Sequence, residues 1–186
     1  MAKKKIKLLP TQVFYTSKEE TNSPLLVDLI KIAKELKEKK IIENKTDTTI
    51  SLTYGKRVLI NSFIQDYSKI KKEEIIEIVD YDPIKNNLLL IGTADPKDET
   101  ALHFMIHHAR KEIKIIVQIN EGELLEKIKN KPILDDKLPI NSIDFIKLVL
   151  KNLRENKIIG MKNHGLLIVA KNKEELENIT KKYLEE

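Results

Sequence analysis

The sequence predicts an α/β fold, a three-layer α/β/α sandwich around a mixed, mainly antiparallel central sheet. Two observations lead to it. Segments whose apolar residues recur with helical period alternate with short β-branched runs along the chain. Several of these runs are separated by tight turns, which favour antiparallel neighbours. Because no repeat or low-complexity linker interrupts the pattern, residues 24–186 are predicted to form one domain, preceded by an N-terminal extension at 1–23.

The individual elements follow from apolar spacing, caps and turn residues. Ser23 before Pro24 predicts a helix start, with Ser23 as the N-cap. Helical period predicts helices at 24–40, 99–111, 121–129, 141–156 and 173–184. Alternating or β-branched runs predict strands at 12–15, 48–53, 57–61, 75–80, 88–92, 113–119 and 165–170. The Tyr54-Gly55 pair predicts that the second and third strands form a hairpin.

Composition excludes several functional classes. The net charge is +5, from 34 basic and 29 acidic residues. Lys and Glu are interleaved, and Arg occurs only at Arg57, Arg110 and Arg154, whereas nucleic-acid readers favour Arg on one charged face. We therefore expect a solvated surface and no nucleic-acid partner. The absence of cysteine excludes disulfides and thiolate metal sites.

The same composition predicts where the protein works. No apolar run is long enough to span a membrane, and no signal sequence is recognisable. We expect a soluble, cytoplasmic protein without a membrane partner. The Lys- and Glu-rich composition is typical of a thermophilic source.

Two polar motifs beside apolar runs carry the functional information. The first, Asp95-Pro96-Lys97-Asp98-Glu99, leads through His103 to Arg110 and then to a strand; the second, Asn163-His164-Gly165, directly precedes a strand. Their order and separation resemble the class II aldolase/adducin family (fuculose-phosphate aldolase-like), whose first motif reads P-[ST]-S-E-x-x-x-H. The resemblance extends over residues 24–184 and implies the same three-layer fold.

The resemblance also implies a site. In the family's lyases three histidines hold a divalent ion, usually zinc, and a glutamate transfers protons. Glu99 matches that catalytic glutamate and His164 matches the third metal ligand, whereas Gln118 and Asn120 stand at the positions of the other two. Amide oxygens are poor zinc ligands, so the resemblance implies a lost metal site. We expect no cofactor; if one is bound, it is a divalent metal such as zinc.

An alternative metal site and structural roles remain open at these positions. Glu99, His103 and His107 are spaced four residues apart and share one face of the predicted helix, which is compatible with a relocated metal site. Each also has a structural interpretation. Glu99 is an acid in the first helical turn, His103 is a core residue, and His164 precedes a glycine that favours a turn.

The phosphate grip of the family is also altered. The segment 43–49 lacks the glycines that let backbone N–H groups approach an anion, and 61–64 replaces a T-P-x-G turn. Asp98 replaces the serine before the glutamate and adds a negative charge. The resemblance therefore implies that metal and phosphate binding were lost together.

Two functions compete on this basis. The first is a non-catalytic oligomeric binding or structural protein, comparable to the adducin head. The second is a metal-dependent lyase, or related enzyme, acting on a sugar or small hydroxy-carbonyl substrate with an altered ligand set. The resemblance implies a homo-oligomer, commonly a tetramer in the family, and leaves the small-molecule ligand unidentified.

Overall fold

The computed structural model describes residues 11–128, 130–135 and 137–185. Within them the chain forms one nine-stranded sheet in the order β1-β5-β4-β3-β2-β6-β9-β8-β7. The strands are β1 (Gln12–Ser17), β2 (Thr48–Tyr54), β3 (Arg57–Asn61), β4 (Ile75–Asp82), β5 (Asn87–Ile91), β6 (Ile115–Ile119), β7 (Ile133–Leu134), β8 (Ile158–Met161) and β9 (Gly165–Ala170). The two end pairs, β1–β5 and β7–β8, are parallel and all other pairs are antiparallel, which confirms the predicted mixed sheet.

Helices cover both faces of this sheet and complete the three layers. They are α1 (Leu26–Glu38), α2 (Thr100–Ala109), α3 (Ile143–Asn152) and α4 (Lys173–Tyr183). The apolar faces of α1 and α4 pack on one side of the sheet, against residues such as Ile50, Val117 and Ile168. The apolar faces of α2 and α3 pack on the other side, against residues such as Ile116 and Leu167. The strands alternate between these two cores because successive side chains point to opposite faces.

Several element boundaries differ from the sequence prediction. Helix α1 begins at Leu26, and Ser23 does not cap it: its hydroxyl instead accepts a hydrogen bond from the Leu25 N–H at 3.4 Å, in the turn before the helix. The segment Gly122–Ile128 is a 3₁₀ helix, and the helix predicted at 121–129 was therefore wrong in type. Strands β7 and β8 were not predicted, because β7 has only two residues and lies in a Pro-containing connection.

The predicted strand near the N-terminus is part of the main sheet. Residues Gln12–Ser17 form β1, which pairs in parallel with β5 and occupies one edge. The part of the predicted extension from residue 11 onward is therefore continuous with the domain, whereas the lysine cluster at 3–7 lies outside the described residues.

None of the helices in the described part of the chain is long and apolar enough to cross a membrane.

Candidate functional site

The sequence motifs meet at one end of three neighbouring strands. Strand β6 lies between β2 and β9, and Gln118 is the register partner of Thr49 on one side and of Leu167 on the other. Helix α2 lies on this face of the sheet and begins directly after Glu99. This topology brings Glu99, Gln118 and the turn before β9 into one region, although they are far apart in the sequence.

A buried lysine, Lys97, makes hydrogen bonds between the loop before α2 and the start of β2. Lys97 is 5% exposed, and its ammonium donates hydrogen bonds to Asp47 Oδ1 at 2.6 Å, to the Thr48 carbonyl at 3.0 Å and to Thr49 Oγ1 at 3.1 Å. The Thr49 hydroxyl in turn donates to Oε1 of Glu99, which is 9% exposed. The Lys97 ammonium also lies 5.2 Å from the centre of the Phe63 ring. Lys97 thus connects the segment before β2 to the carboxylate of Glu99 through Thr49.

Replacing Lys97 by methionine is expected to lower the free energy of unfolding by about 1–3 kcal/mol, because three oxygen acceptors lose a charged donor. Asp47 remains half-exposed and can be hydrated, which keeps the loss below that of a fully buried pair. Chemical denaturation measures the change. The matched control is Lys34→Met, at an exposed position on α1, where a change within about 0.5 kcal/mol is expected. Equal effects of the two substitutions would contradict the structural role of Lys97.

Two buried histidines of α2 share one serine of β2. Ser51 Oγ lies 2.8 Å from Nδ1 of His103 and 2.9 Å from Nε2 of His107. The other nitrogen of His107 lies 3.2 Å from the Ile113 carbonyl, and Nε2 of His103 lies 3.4 Å from Oε1 of Gln118. Each of the four ring nitrogens therefore lies within 3.4 Å of a polar protein atom. Burial lowers the pKa of His103 to about 3 and that of His107 to about 4, so both rings are neutral at neutral pH.

The Ile113 carbonyl fixes the tautomers of this pair. A carbonyl only accepts, so Nδ1 of His107 carries the proton and Nε2 accepts from the Ser51 hydroxyl. Ser51 must then accept from Nδ1–H of His103, whose Nε2 is left as a lone pair facing the Gln118 amide. That last link is the longest in the chain, at 3.4 Å, as expected where two acceptors face each other.

Gln118 connects α2 to the turn before β9. Its side chain is 2% exposed; Oε1 faces His103, and Nε2 donates to the backbone carbonyl of His164 at 3.2 Å. The imidazole of His164 is half-buried and lies edge-on to the Phe145 ring, with 5.7 Å between ring centres. Burial lowers the pKa of His164, and the carboxylates of Glu99 and Asp98 oppose this shift. Glu99 and His164 are therefore within electrostatic reach of each other.

Gly165 and Asn120 are in direct backbone contact. Gly165 has a φ of +71°, and a Cβ there would lie 2.0 Å from the Ile119 carbonyl oxygen and 2.7 Å from Asn120 Cα. The Asn120 side chain is exposed, and its backbone N–H donates to the Asp47 carbonyl at 2.9 Å. The turn conformation expected of Gly165 is confirmed. The positive φ and the closeness of the Ile119 and Asn120 backbone each exclude a residue with a Cβ at this position.

The positions that correspond to the phosphate grip have structural contacts. The Asn61 side chain accepts a hydrogen bond from the Ile50 N–H at 2.6 Å and donates to the Thr48 carbonyl at 2.9 Å. The Ser62 hydroxyl donates to the Asp95 carbonyl at 2.5 Å. These side chains connect β3 to β2 and to the loop before α2.

The residues at the expected metal position do not fit a zinc ion. Zinc sites use three or more imidazole, carboxylate or thiolate ligands. Within residues 11–128, 130–135 and 137–185, no group of three His, Asp or Glu side chains is arranged to hold a metal. Gln118 donates to the His164 carbonyl, both ring nitrogens of His107 are hydrogen-bonded, and Nδ1 of His103 is bonded to Ser51. The region therefore offers two imidazoles, His103 and His164, beside a neutral amide, which is short of a zinc ligand set.

Sequence reasoning missed three polar residues of this region. The motif that contains Lys97 predicts no specific contact for its side chain. The strand pattern predicts that Thr49 and Ser51 lie in β2 and predicts no partner for their hydroxyls. The alternation in Thr49-Ile50-Ser51-Leu52 carries a signal: in a buried strand, small hydroxyl residues at every second position require partners on one face. Those partners are Glu99 and the two histidines of α2.

Solved structures similar to this chain share one architecture. An L-fuculose 1-phosphate aldolase superposes with a TM-score of 0.67 at 19% identity, covering 88% of this chain and 82% of the aldolase. YgbL from Klebsiella pneumoniae, a putative aldolase/epimerase/decarboxylase, gives 0.63 at 14% identity, covering 83% and 82%. An L-fuculose-1-phosphate aldolase from Thermus thermophilus gives 0.60 at 13% identity, covering 87% and 90%. At these identities the likeness shows the fold alone.

Sequence comparison assigns the family. No curated protein sequence matches the chain significantly. The family described as Class II Aldolase and Adducin N-terminal domain matches residues 27–119. These residues include α1 except its first residue, the hairpin, the motif residues Lys97 and Glu99, and strand β6. With the shared fold and the order of the motifs, this match means that the chain belongs to the class II aldolase and adducin N-terminal domain family.

Proposed function

We propose that this chain is a non-catalytic member of the family that acts as an oligomeric binding or structural protein. The observation that carries the proposal is the environment of Gln118. At a position where the family's lyases have a metal-binding histidine, the buried amide lies beside Nε2 of His103 and donates to the His164 carbonyl. This hydrogen bond holds the turn before β9 to β6, and a neutral amide is a far weaker metal ligand than an imidazole.

The charges around the motif support the same proposal. The Lys97 ammonium has three oxygen partners within the protein, so it presents no free donor to a phosphate. The carboxylates of Asp98 and Glu99 act on His164, and they would repel a sugar phosphate that approached the same end of the strands.

We further propose a homo-oligomer, a tetramer by family resemblance, located in the cytoplasm. Size-exclusion chromatography with light scattering measures the assembly directly. A mass of about four chains is expected for the tetramer, and a monomeric mass at working concentration would remove the oligomeric part of the proposal.

A divergent lyase is the second candidate, and one observation favours it. Glu99 is a buried carboxylate within electrostatic reach of a half-buried imidazole, His164. Such a pair can exchange protons with a hydroxy-carbonyl substrate without a metal. In this case any activity should depend on both residues and persist after treatment with a chelator.

Metal content separates the non-catalytic proposal from a metal-dependent lyase, and retro-aldol activity separates it from a metal-free one. We expect the purified chain to contain far less than about one zinc, manganese or cobalt ion per chain by elemental analysis. We also expect no retro-aldol cleavage of fuculose 1-phosphate or rhamnulose 1-phosphate. A stoichiometric metal that is lost in His164→Ala would overturn the non-catalytic proposal.

Restoring the ligands tests the position of the lost site. The double substitution Gln118→His with Asn120→His is expected to bring zinc binding to about one ion per chain, because it completes a three-imidazole set with His164. Adding His164→Ala to the double variant is the matched control and should remove the gained zinc. If the double variant remains folded by circular dichroism and gains no zinc affinity, these positions do not face the His164 imidazole.

A further inference from the structure

A cavity lies at the opposite end of the central strands from the candidate functional site. Strand β2 runs from Thr48 at that site to Tyr54, where the β2–β3 turn begins. Beside this turn is a cavity of about 600 Å³, bounded by the turn and by a strap, residues 18–25, that connects β1 to α1. This volume is in the range that holds small organic ligands.

Arg57 lines this cavity and is bound by a buried carboxylate, that of Glu77. Glu77 of β4 is 8% exposed, and its Oε2 accepts a hydrogen bond from Thr21 of the strap at 2.8 Å. Its Oε1 accepts from Nη1 of Arg57 at 2.9 Å. Arg57 is itself half-exposed, and among the described residues its side chain has no other partner. The remaining N–H groups of the guanidinium therefore stay available to a ligand, and their planar arrangement suits a carboxylate.

The other walls combine negative charge with apolar surface. Glu19 and Glu20 of the strap line the cavity and have no ion-pair partner among the described residues. The apolar side chains at the cavity come from Leu25, Leu59 and Ile91, with the exposed Tyr54 ring beside them. Lys56 also lines the cavity, so two cations, Arg57 and Lys56, lie among three carboxylates, those of Glu19, Glu20 and Glu77, and a simple anion is disfavoured. A ligand that carries a cation as well as a carboxylate matches both sets of charges.

We propose that this cavity binds a free α-amino acid with a large apolar side chain. The carboxylate pairs with the free edge of Arg57, and the ammonium lies toward Glu19 and Glu20. The side chain contacts the half-buried Leu25 and Ile91 and the Tyr54 ring. Glu77 and Thr21 position the arginine and do not contact the ligand. The site is separate from the Glu99–His164 region and does not depend on the function proposed for that region.

Isothermal titration calorimetry of the full chain with four probes tests each recognition element. L-Phenylalanine carries all three elements; phenethylamine lacks the carboxylate, 3-phenylpropionate lacks the ammonium, and glycine lacks the side chain. We expect L-phenylalanine to bind and each of the others to bind at least about 10-fold more weakly, as is typical when a charge-assisted hydrogen bond or a large apolar contact is lost. Absence of binding by all four probes, or equal binding of L-phenylalanine and phenethylamine, overturns the proposal.

Variants connect the binding to named residues. Arg57→Gln should weaken L-phenylalanine binding by about 10-fold and leave phenethylamine unchanged. Since this change leaves Glu77 without its cation, the exposed pair Glu19→Gln with Glu20→Gln provides a second test that does not disturb the interior. It should weaken the binding of L-phenylalanine, which loses the partners of its ammonium, and should not weaken the binding of 3-phenylpropionate, whose carboxylate is no longer repelled. Glu99→Gln, at the other end of β2, should have no effect on any probe; a change there, or none in the other two variants, contradicts the assigned site.

Discussion

Replacing Gly165 by alanine is expected to lower the free energy of unfolding by about 3–5 kcal/mol, enough to unfold many domains of this size. The Cβ would lie 2.0 Å from the Ile119 carbonyl oxygen and 2.7 Å from Asn120 Cα and from the Glu121 nitrogen. All three atoms belong to the backbone of β6 and its end, so no side chain can rotate away to relieve the clash. The positive φ of +71° adds backbone strain to this overlap.

Two other glycines serve as controls for this prediction. Gly55 has a φ of +61° and no atom within 4 Å of a Cβ, so Gly55→Ala reports the strain of the backbone conformation alone, about 1 kcal/mol. Gly122 has open space and no positive φ, and Gly122→Ala should be nearly neutral or slightly stabilising. Thermal and urea denaturation of the three variants give the comparison. If Gly165→Ala costs no more than Gly55→Ala, the contact between β9 and the end of β6 is looser than the structure indicates.

Acidification is expected to destabilise the fold before most carboxylates titrate. Burial lowers the pKa of His103 to about 3 and that of His107 to about 4, below the ordinary value of 6.5. The unfolded chain therefore binds protons that the folded chain excludes. The contribution of the two neutral histidines to the free energy of unfolding is fully present above about pH 6.5. It is lost progressively as the pH falls toward their pKa values in the folded chain. Between about pH 7.5 and pH 5 we expect a loss of about 2–4 kcal/mol.

Urea denaturation across this pH range measures the effect, with histidine variants as controls. His103→Gln and His107→Gln should each flatten the pH dependence, whatever their cost at neutral pH, because each removes one excluded proton. His108 is only partly buried, and His108→Gln should leave most of the pH dependence of the free energy of unfolding unchanged. A free energy of unfolding that stays constant from about pH 7.5 to pH 5 would show that the folded chain does not hold the pKa values of His103 and His107 below those of the unfolded chain.

The sequence predicted most of the architecture, because the apolar pattern of each element matches its local period. The hairpin of β2 and β3, the β-branched run of β6 and the amphipathic helices α3 and α4 are present where the pattern placed them. The prediction was weakest for short or irregular elements. Two-residue β7 has no periodicity to detect, and its pairing with β8 depends on chain segments that only the fold brings together.

The candidate site was predicted less completely. Its two motif residues, Glu99 and His164, came from family resemblance, and the family membership is confirmed. Their assigned roles stay predictions. The alternative metal site at His103 and His107 also stays untested by experiment, although both rings are engaged with Ser51 in the folded chain. The contacts of Lys97 could not be read from its position, because its partners are about fifty residues earlier in the chain.

The sequence by itself determined the layers of this protein through local periodicity, and its family through the resemblance of two motifs. It also predicts that Gln118 and Asn120 stand where the family's lyases have two histidines. Only the tertiary structure decided what these two side chains contact. Gln118 reaches His103 and the His164 carbonyl because β6 lies between β2 and β9 and beneath α2, and such cross-strand contacts have no local signature. The contact of Arg57 with Glu77 and Thr21 at the cavity likewise depends on the tertiary structure, because these residues come from β3, β4 and the strap.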